Sequence, residues 1–430
     1  MTTLTLPADH PERGALSAEV HARPPQPLAA PLIASYLVLY TGPDARDAHR
    51  RAISDLASRY GAAPPAEAAT HFTAHLGPVR VIWERHTEYS RYTFIRQTVD
   101  EHAPFESPPL ADIPEDWRAS LPGEVLYAAH VLMVPAPEEG PAIDDAVKRI
   151  FGGGELVGSK IAGGVALTSF RSYSDGFNRF LIRNRSMSPL QAGRQMQGLL
   201  EMDTYRMMAL LALPVARELG KLLTEREQEL AGITREMAEG DHADESGLLD
   251  RLTRLEADIE RRHSQHYYRF SAAAAYYGIV QARIAELREQ RVESLQTFAE
   301  FIERRLAPAM NTVNAVSLRL ESMSKHLSRA TQLLSTRVAL AQEQQSRQLL
   351  EAMARRAKLQ LRLQQTVEGL SIAAITYYVV GLIGYAAAGG EILGSPIDPK
   401  VVQALSIPFV AGGLFLALRR VRKALEKAED

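Results

Sequence analysis

A chain of 430 residues with a net charge of −2 has room for two domains, and it exerts no general electrostatic pull on nucleic acid. It holds no cysteine, which excludes disulfides, thiol nucleophiles and cysteine-ligated zinc or iron–sulfur sites and suits a reducing compartment. The first ten residues, MTTLTLPADH, have neither a basic n-region nor an apolar h-region, so they do not read as a signal peptide.

The first part of the chain reads as mixed α and β. After a proline-rich lead, 32–40 (LIASYLVLY) is an apolar run of strand length, and 44–60 carries Ala52, Ile53, Leu56 and Tyr60 at helical spacing. Residues 79–85 and 92–99 flank a polar turn and predict a β-hairpin. The stretch 104–122 reads as a proline-punctuated loop, 125–134 as a strand, 143–151 as a short helix, and 156–170 and 177–183 as strands around glycine-rich turns.

From Pro189 the pattern turns helical. Apolar residues recur at 3.6 spacing over 189–239, with Pro214 as a kink, then EGDHADESG (239–247) makes a turn. A second long helix is predicted over 248–306, and FSAAAAYYGIV (270–280) is too short to span a bilayer and fits the inside of a helical hairpin. Pro308 marks a break. A third helix then runs without proline from about Ala309 into the last sixty residues, a rod of roughly 120 Å at 1.5 Å per residue, which needs partner helices.

That third helix has a heptad stripe of Val313, Val316, Leu320, Met323, Leu327, Ala330 and Leu334. Its phase slips around 337–347. A second stripe follows through Leu350, Met353, Ala357, Gln360, Gln364, Val367, Ser371, Ala374, Tyr378, Gly381, Tyr385 and Ala388, with no charged member. The cytoplasmic half reads as a helix-packing face. The part from Gln364 onward reads equally as a packing face or as the lining of a pore in an oligomer.

Residues 369–390 (GLSIAAITYYVVGLIGYAAAGG) and 401–418 (VVQALSIPFVAGGLFLAL) carry no charge, and each is long enough to cross a hydrocarbon core. Arg355, Arg356, Lys358 and Arg362 precede the first run, and Arg419, Arg420, Arg422 and Lys423 follow the second. The positive-inside rule then places both termini in the cytoplasm and the short linker outside. Glu391 and Asp398 are the acidic residues of that linker and the candidate outer mouth of a conduit.

Candidate chemistry elsewhere is sparse. GGGELVGSK (152–160) falls short of a phosphate-binding loop, because the order is Gly-Ser-Lys and a strand follows where a helix is needed. His71 and His75 have an HxxxH spacing but no third ligand to complete a metal site. Glu19, His21 and Arg23 form a compact polar cluster in EVHARPP, either a site or an extended segment held by its prolines. No catalytic set emerges, so the sequence predicts no enzyme and no cofactor. The expected fold is an α+β cytoplasmic domain (1–188), a helical hairpin (189–308), a coiled-coil-like stalk helix (309–368), a two-helix transmembrane hairpin (369–418) and a basic tail (419–430).

HPERGALSAEVHARPP, WERHTEYSRYTF, SDGFNRFL, TYRMMALLALPVAREL and RRAKLQLRLQQTVEGLSIAAITYYVVGLIGY together resemble a bacterial family of predicted membrane-anchored proteins of unknown function. The order of elements also resembles that of CorA-like divalent-cation transporters. That likeness implies a homo-oligomer joined through the stalk, a first span lining a pore, and a divalent cation as partner beside the lipid bilayer. The Gly-Met-Asn that closes the first span in those transporters corresponds here to Gly384-Tyr385-Ala386, so their filter chemistry does not carry over.

Overall fold

Nine strands join in one mixed sheet of order β2-β3-β4-β1-β5-β8-β7-β6-β9 in a computed structural model that describes residues 8–14, 16–17, 25–42, 46–97, 103–136, 143–239, 244–292, 295–392 and 398–429. The strands are β1 Leu32–Tyr40, β2 His71–Leu76, β3 Val79–Arg85, β4 Tyr89–Arg96, β5 Glu124–Pro135, β6 Val157–Ile161, β7 Gly164–Thr168, β8 Asn178–Asn184 and β9 Gln290–Arg291. β5 and β8 pair in parallel, while the other strand pairs are antiparallel. The helices are α1 Arg46–Arg59, α2 Glu115–Ala119, α3 Asp145–Phe151, α4 Pro189–Leu210, α5 Ala212–Glu239, α6 Glu245–Leu287, α7 Phe298–Arg305, α8 Ala307–Ile392 and α9 Pro399–Glu429. A mixed-sheet region followed by long helices is the coarse architecture that the sequence predicts. Two compact units divide it at 1–331 and 332–430, so the change at 188/189 is one of secondary structure within a unit.

Alternation along the strands decides which residues meet which layer. Leu37, Leu39, Val81, Trp83, Tyr92 and Phe94 turn to one face and form a core with Ile53 and Leu56 of α1 and Trp117 of α2. The opposite face, with Tyr36, Glu84, Arg91 and Thr93, meets α4. There Gly193 is required, because a Cβ would strike the carbonyl oxygen of Gln26 where segment 25–29 crosses the helix.

Several boundaries differ from expectation for identifiable reasons. The loop 104–122 contains a 3-10 turn at Pro109–Asp112 and helix α2, whose Trp117 is buried and donates from Nε1 to the Ala52 carbonyl at 2.7 Å. The expected kink at Pro214 is a break at Leu211, since proline lacks an N–H and its ring crowds the preceding turn. The expected helix over 248–306 ends at Leu287. Arg288 takes a left-handed conformation (φ 47°), β9 returns to the sheet edge against β6, and a Thr297–Glu300 capping box starts α7. The Glu289 carboxylate accepts from the backbone N–H of Phe298 at 2.9 Å and Ala299 at 2.7 Å and from Ser159 Oγ at 2.5 Å. No glycine or proline marks this turn. Of the predicted turn at 239–247, residues 240–243 lie outside the described residues, and Asp244 caps the start of α6.

Candidate functional site

The glycine-rich run is a helix end. Gly152 takes φ 67° as the C-cap of α3, and Lys160 lies exposed on β6, so no phosphate cradle forms. HFTAHL is the edge strand β2, on which His71 and His75 lie about 13 Å apart along the strand, too far to share one ion. Among the described residues no group of three or more His, Cys, Asp or Glu can hold a metal ion. Glu19, His21 and Arg23 lie outside the described residues.

Between the sheet and α4 the charges are buried and paired. Glu84 and Arg91 stand opposite each other on β3 and β4, and Arg91 Nε donates to Glu84. Arg91 Nη1 donates to Glu201 Oε1 of α4 at 3.0 Å, and Arg283 of α6 reaches Glu201 Oε2 at 2.7 Å. Gln197 Nε2 adds a hydrogen bond to Glu201 at 2.8 Å. Two carboxylates thus alternate with two guanidiniums and cancel. Burial works against the Arg91 charge, but Tyr36, Glu84 and Glu201 around it hold it protonated well above its usual range. Burial alone would raise Glu201, yet Arg91, Gln197 and Arg283 outweigh it and lower its pKa. Burial pushes Tyr36, which bonds Thr204 at 3.0 Å, up to about 12. A cavity of about 50 Å³ lies beside this network, lined by Tyr36, Glu84, Arg91 and Gln197 among others, with room for a few waters and none for a metabolite.

Two further buried nodes fasten the same layer. Asp203 of α4 meets Arg206 at 2.5 Å and Asn178 at 3.3 Å. Glu88, next to β4, accepts from Arg269 and, at 2.5 Å, from Tyr276 of α6. Sequence reasoning missed all of them, although three of the quoted strings (83–94, 174–181 and 204–219) hold Glu84, Glu88, Arg91, Asn178 and Arg206. The signal was the β3–β4 hairpin, whose pairing sets Glu84 against Arg91.

Among the described residues most of the seam lies open. Leu350, Met353, Gln364, Val367, Ser371, Ala374, Tyr378 and Tyr385 are exposed, Tyr385 at 82%, and Gly381 is half-buried. Gln364 bonds only Glu368 of its own helix, at 3.3 Å. Thr376 and Val380 are buried and Ile372 and Ile383 half-buried, while Gly384 packs against Gln403 of α9. At 3.6 residues per turn, the seam lies about 170° around α8 from that covered face. Asp398 is exposed and accepts from the Lys400 N–H at 2.9 Å at the start of α9. Glu391 is within α8, and its side chain lies outside the described set.

Among the described residues two helices are long and apolar enough to cross a membrane, and their apolar stretches are 11% and 0% buried. The molecule is thus a mixed-sheet protein with long helices, two of them apolar. Residues 8–425 match the family described as "Protein of unknown function (DUF3422)", and the chain belongs to that family. No curated protein and no solved structure matches it.

Proposed function

We propose that this chain is a homo-oligomeric inner-membrane protein whose α8 seam faces the symmetry axis, with a cytoplasmic head and both termini inside. The observation that carries the reading is the seam itself. It is uncharged, exposed from Leu350 to Tyr385 at every position but Gly381, and turned away from α9. A face of this kind on a helix that enters a bilayer fits copies of itself around an axis, with α9 outside. The membrane hairpin has its own support. Gly384 and Gln403 lie side by side, and counting back from that contact brings the first uncharged residue of one run, Gly369, level with the last of the other, Leu418. Two apolar runs that end at one height suit a bilayer surface.

On this reading the protein is a cation conduit of CorA-like layout. The proposal takes from those transporters the order of elements alone and assigns no reaction and no ion. A membrane-anchored scaffold or sensor without transport activity is the rival. The absence of cysteine makes the test direct. Single cysteines at Gln364, Ser371 or Tyr378 are expected to cross-link between copies in native membranes, while cysteines at Ile372 or Thr376, under α9, are not. Equal cross-linking from both faces would defeat the axial assignment. Cation flux through reconstituted liposomes separates conduit from scaffold: Tyr385→Ala is expected to raise it, and Glu391→Gln to lower it most at low ionic strength.

A further inference from the structure

Below the apolar run, α8 carries a second pattern on its other side. Between Ala352 and Val367 there are four basic residues and no acidic one, in a chain whose net charge is −2. Arg355, Lys358 and Arg362 fall within about 60° of one another around the helix and about 160° from the seam. They share the side of α8 that α9 covers higher up. Arg356 alone points elsewhere, toward the margin of the seam. All four are exposed. Arg355 leans on Glu351 at 3.3 Å with 79% of its side chain accessible, and Lys358 and Arg362 have no ion pair among the described residues. Arg419 and Arg420, also exposed, stand roughly level with Glu368 when counted from the Gly384–Gln403 contact.

We propose that this outward stripe, Arg362, Lys358 and Arg355, binds the headgroups of anionic phospholipids in the cytoplasmic leaflet; this rests on the membrane reading above. The geometry grades the three residues. With Gly369 at the hydrocarbon edge and α8 near the membrane normal, Arg362 lies about 10 Å below it, Lys358 about 16 Å and Arg355 about 21 Å. The headgroup layer occupies roughly the first 6 Å, and an anionic surface is felt about 8 Å beyond it at physiological salt. Arg362 therefore reaches the phosphates through its side chain, Lys358 enters the field through its side-chain length, and Arg355 reaches only its edge. The stripe faces away from the proposed axis because the opposite face is occupied by the seam. Guanidinium suits phosphate through paired N–H donors, which zwitterionic headgroups meet with their own cation.

The test uses full-length protein in mild detergent, titrated with phosphatidylglycerol or phosphatidylcholine, with bound lipids counted by native mass spectrometry. Wild type is expected to retain phosphatidylglycerol several-fold over phosphatidylcholine. Arg355→Gln, Lys358→Gln and Arg362→Gln together are expected to bring that preference down to near parity, and Arg362→Gln alone to lower it more than Arg355→Gln alone. Arg356→Gln keeps it. Unchanged tryptophan fluorescence shows that the head remains folded in each variant, since Trp83 and Trp117 are both buried there. No phosphatidylglycerol preference in wild type, or an Arg356→Gln effect equal to that of the triple change, overturns the proposal. So does loss of preference on removing residues 424–430 but not on the triple change. Resistance of the wild type to carbonate extraction from native membranes is measured alongside. If the protein washes off, the membrane reading itself has failed; if it stays while the lipid preference is absent, only the stripe has.

Discussion

Helix α8 carries two heptad stripes that look alike in sequence and meet different fates. Val313, Val316, Leu320, Met323 and Leu327 are buried within the chain, beside α5 and α6. Arg319 holds Glu227 of α5 at 2.7 Å, and Ser324 Oγ donates to Glu260 of α6 at 2.9 Å. Leu350, Met353 and Val367 repeat the same spacing with more than half of each side chain in solvent. Periodicity marks a face that is meant to be covered. Whether the chain or another molecule covers it is decided by where α5 and α6 end, which no pattern within α8 records.

Breaking the two stripes should separate these fates. Leu320→Asp places a charge in a filled core and is expected to cost the head more than about 4 kcal/mol, seen as a lowered midpoint in urea unfolding followed by tryptophan fluorescence. Almost as damaging is Arg91→Met, which leaves Glu84 and Glu201 buried without their cation and should cost about 3–5 kcal/mol by the same assay. Leu350→Asp with Met353→Asp should leave that midpoint untouched and instead disperse the oligomer in size-exclusion chromatography, while changes at Gln344 and Gln348 do little. A lowered unfolding midpoint in this pair would mean that the second stripe is covered by its own chain after all. Acid should touch the head first. Burial lowers both His49 and His130 to about 4 from an ordinary 6.5, so between these values the unfolded chain binds protons that the folded head refuses. Stability therefore falls as pH drops through that window, and Glu201, also depressed, adds to the loss as pH falls further. The urea midpoint measured from pH 7 to pH 4 checks the sign, and His49→Gln with His130→Gln should flatten the slope. The smallest effect belongs to Arg319→Ala, where a half-exposed pair contributes within about 0.5 kcal/mol.

Much of the head was legible. The strands at 32–40 and 79–85 announced themselves by β-branched and aromatic runs, and the third helix by its unbroken length. The return of the chain through β9 was not, because Arg288 does in a left-handed conformation what a glycine would have signalled. The ionic layer was hidden for a different reason. Glu84, Arg91, Glu201 and Arg283 have the same letters as surface charges, and only strand register together with helix docking turns them inward. The seam is the opposite case: its residues could be read directly, and in the structure most of them stay exposed.

The Glu289 turn gives the root of α8 a mechanical character. The helix does not hang from a loose loop. It starts two residues after α7, whose N-terminus is tied through one carboxylate to Ser159 on β6, beside a strand that α6 feeds into the sheet edge. A twist or pull on α8 is therefore borne by a clamped pivot, and the load passes into hydrogen bonds across the sheet before any linker can absorb it. Glu289→Gln would loosen that pivot while leaving every residue of α8 in place.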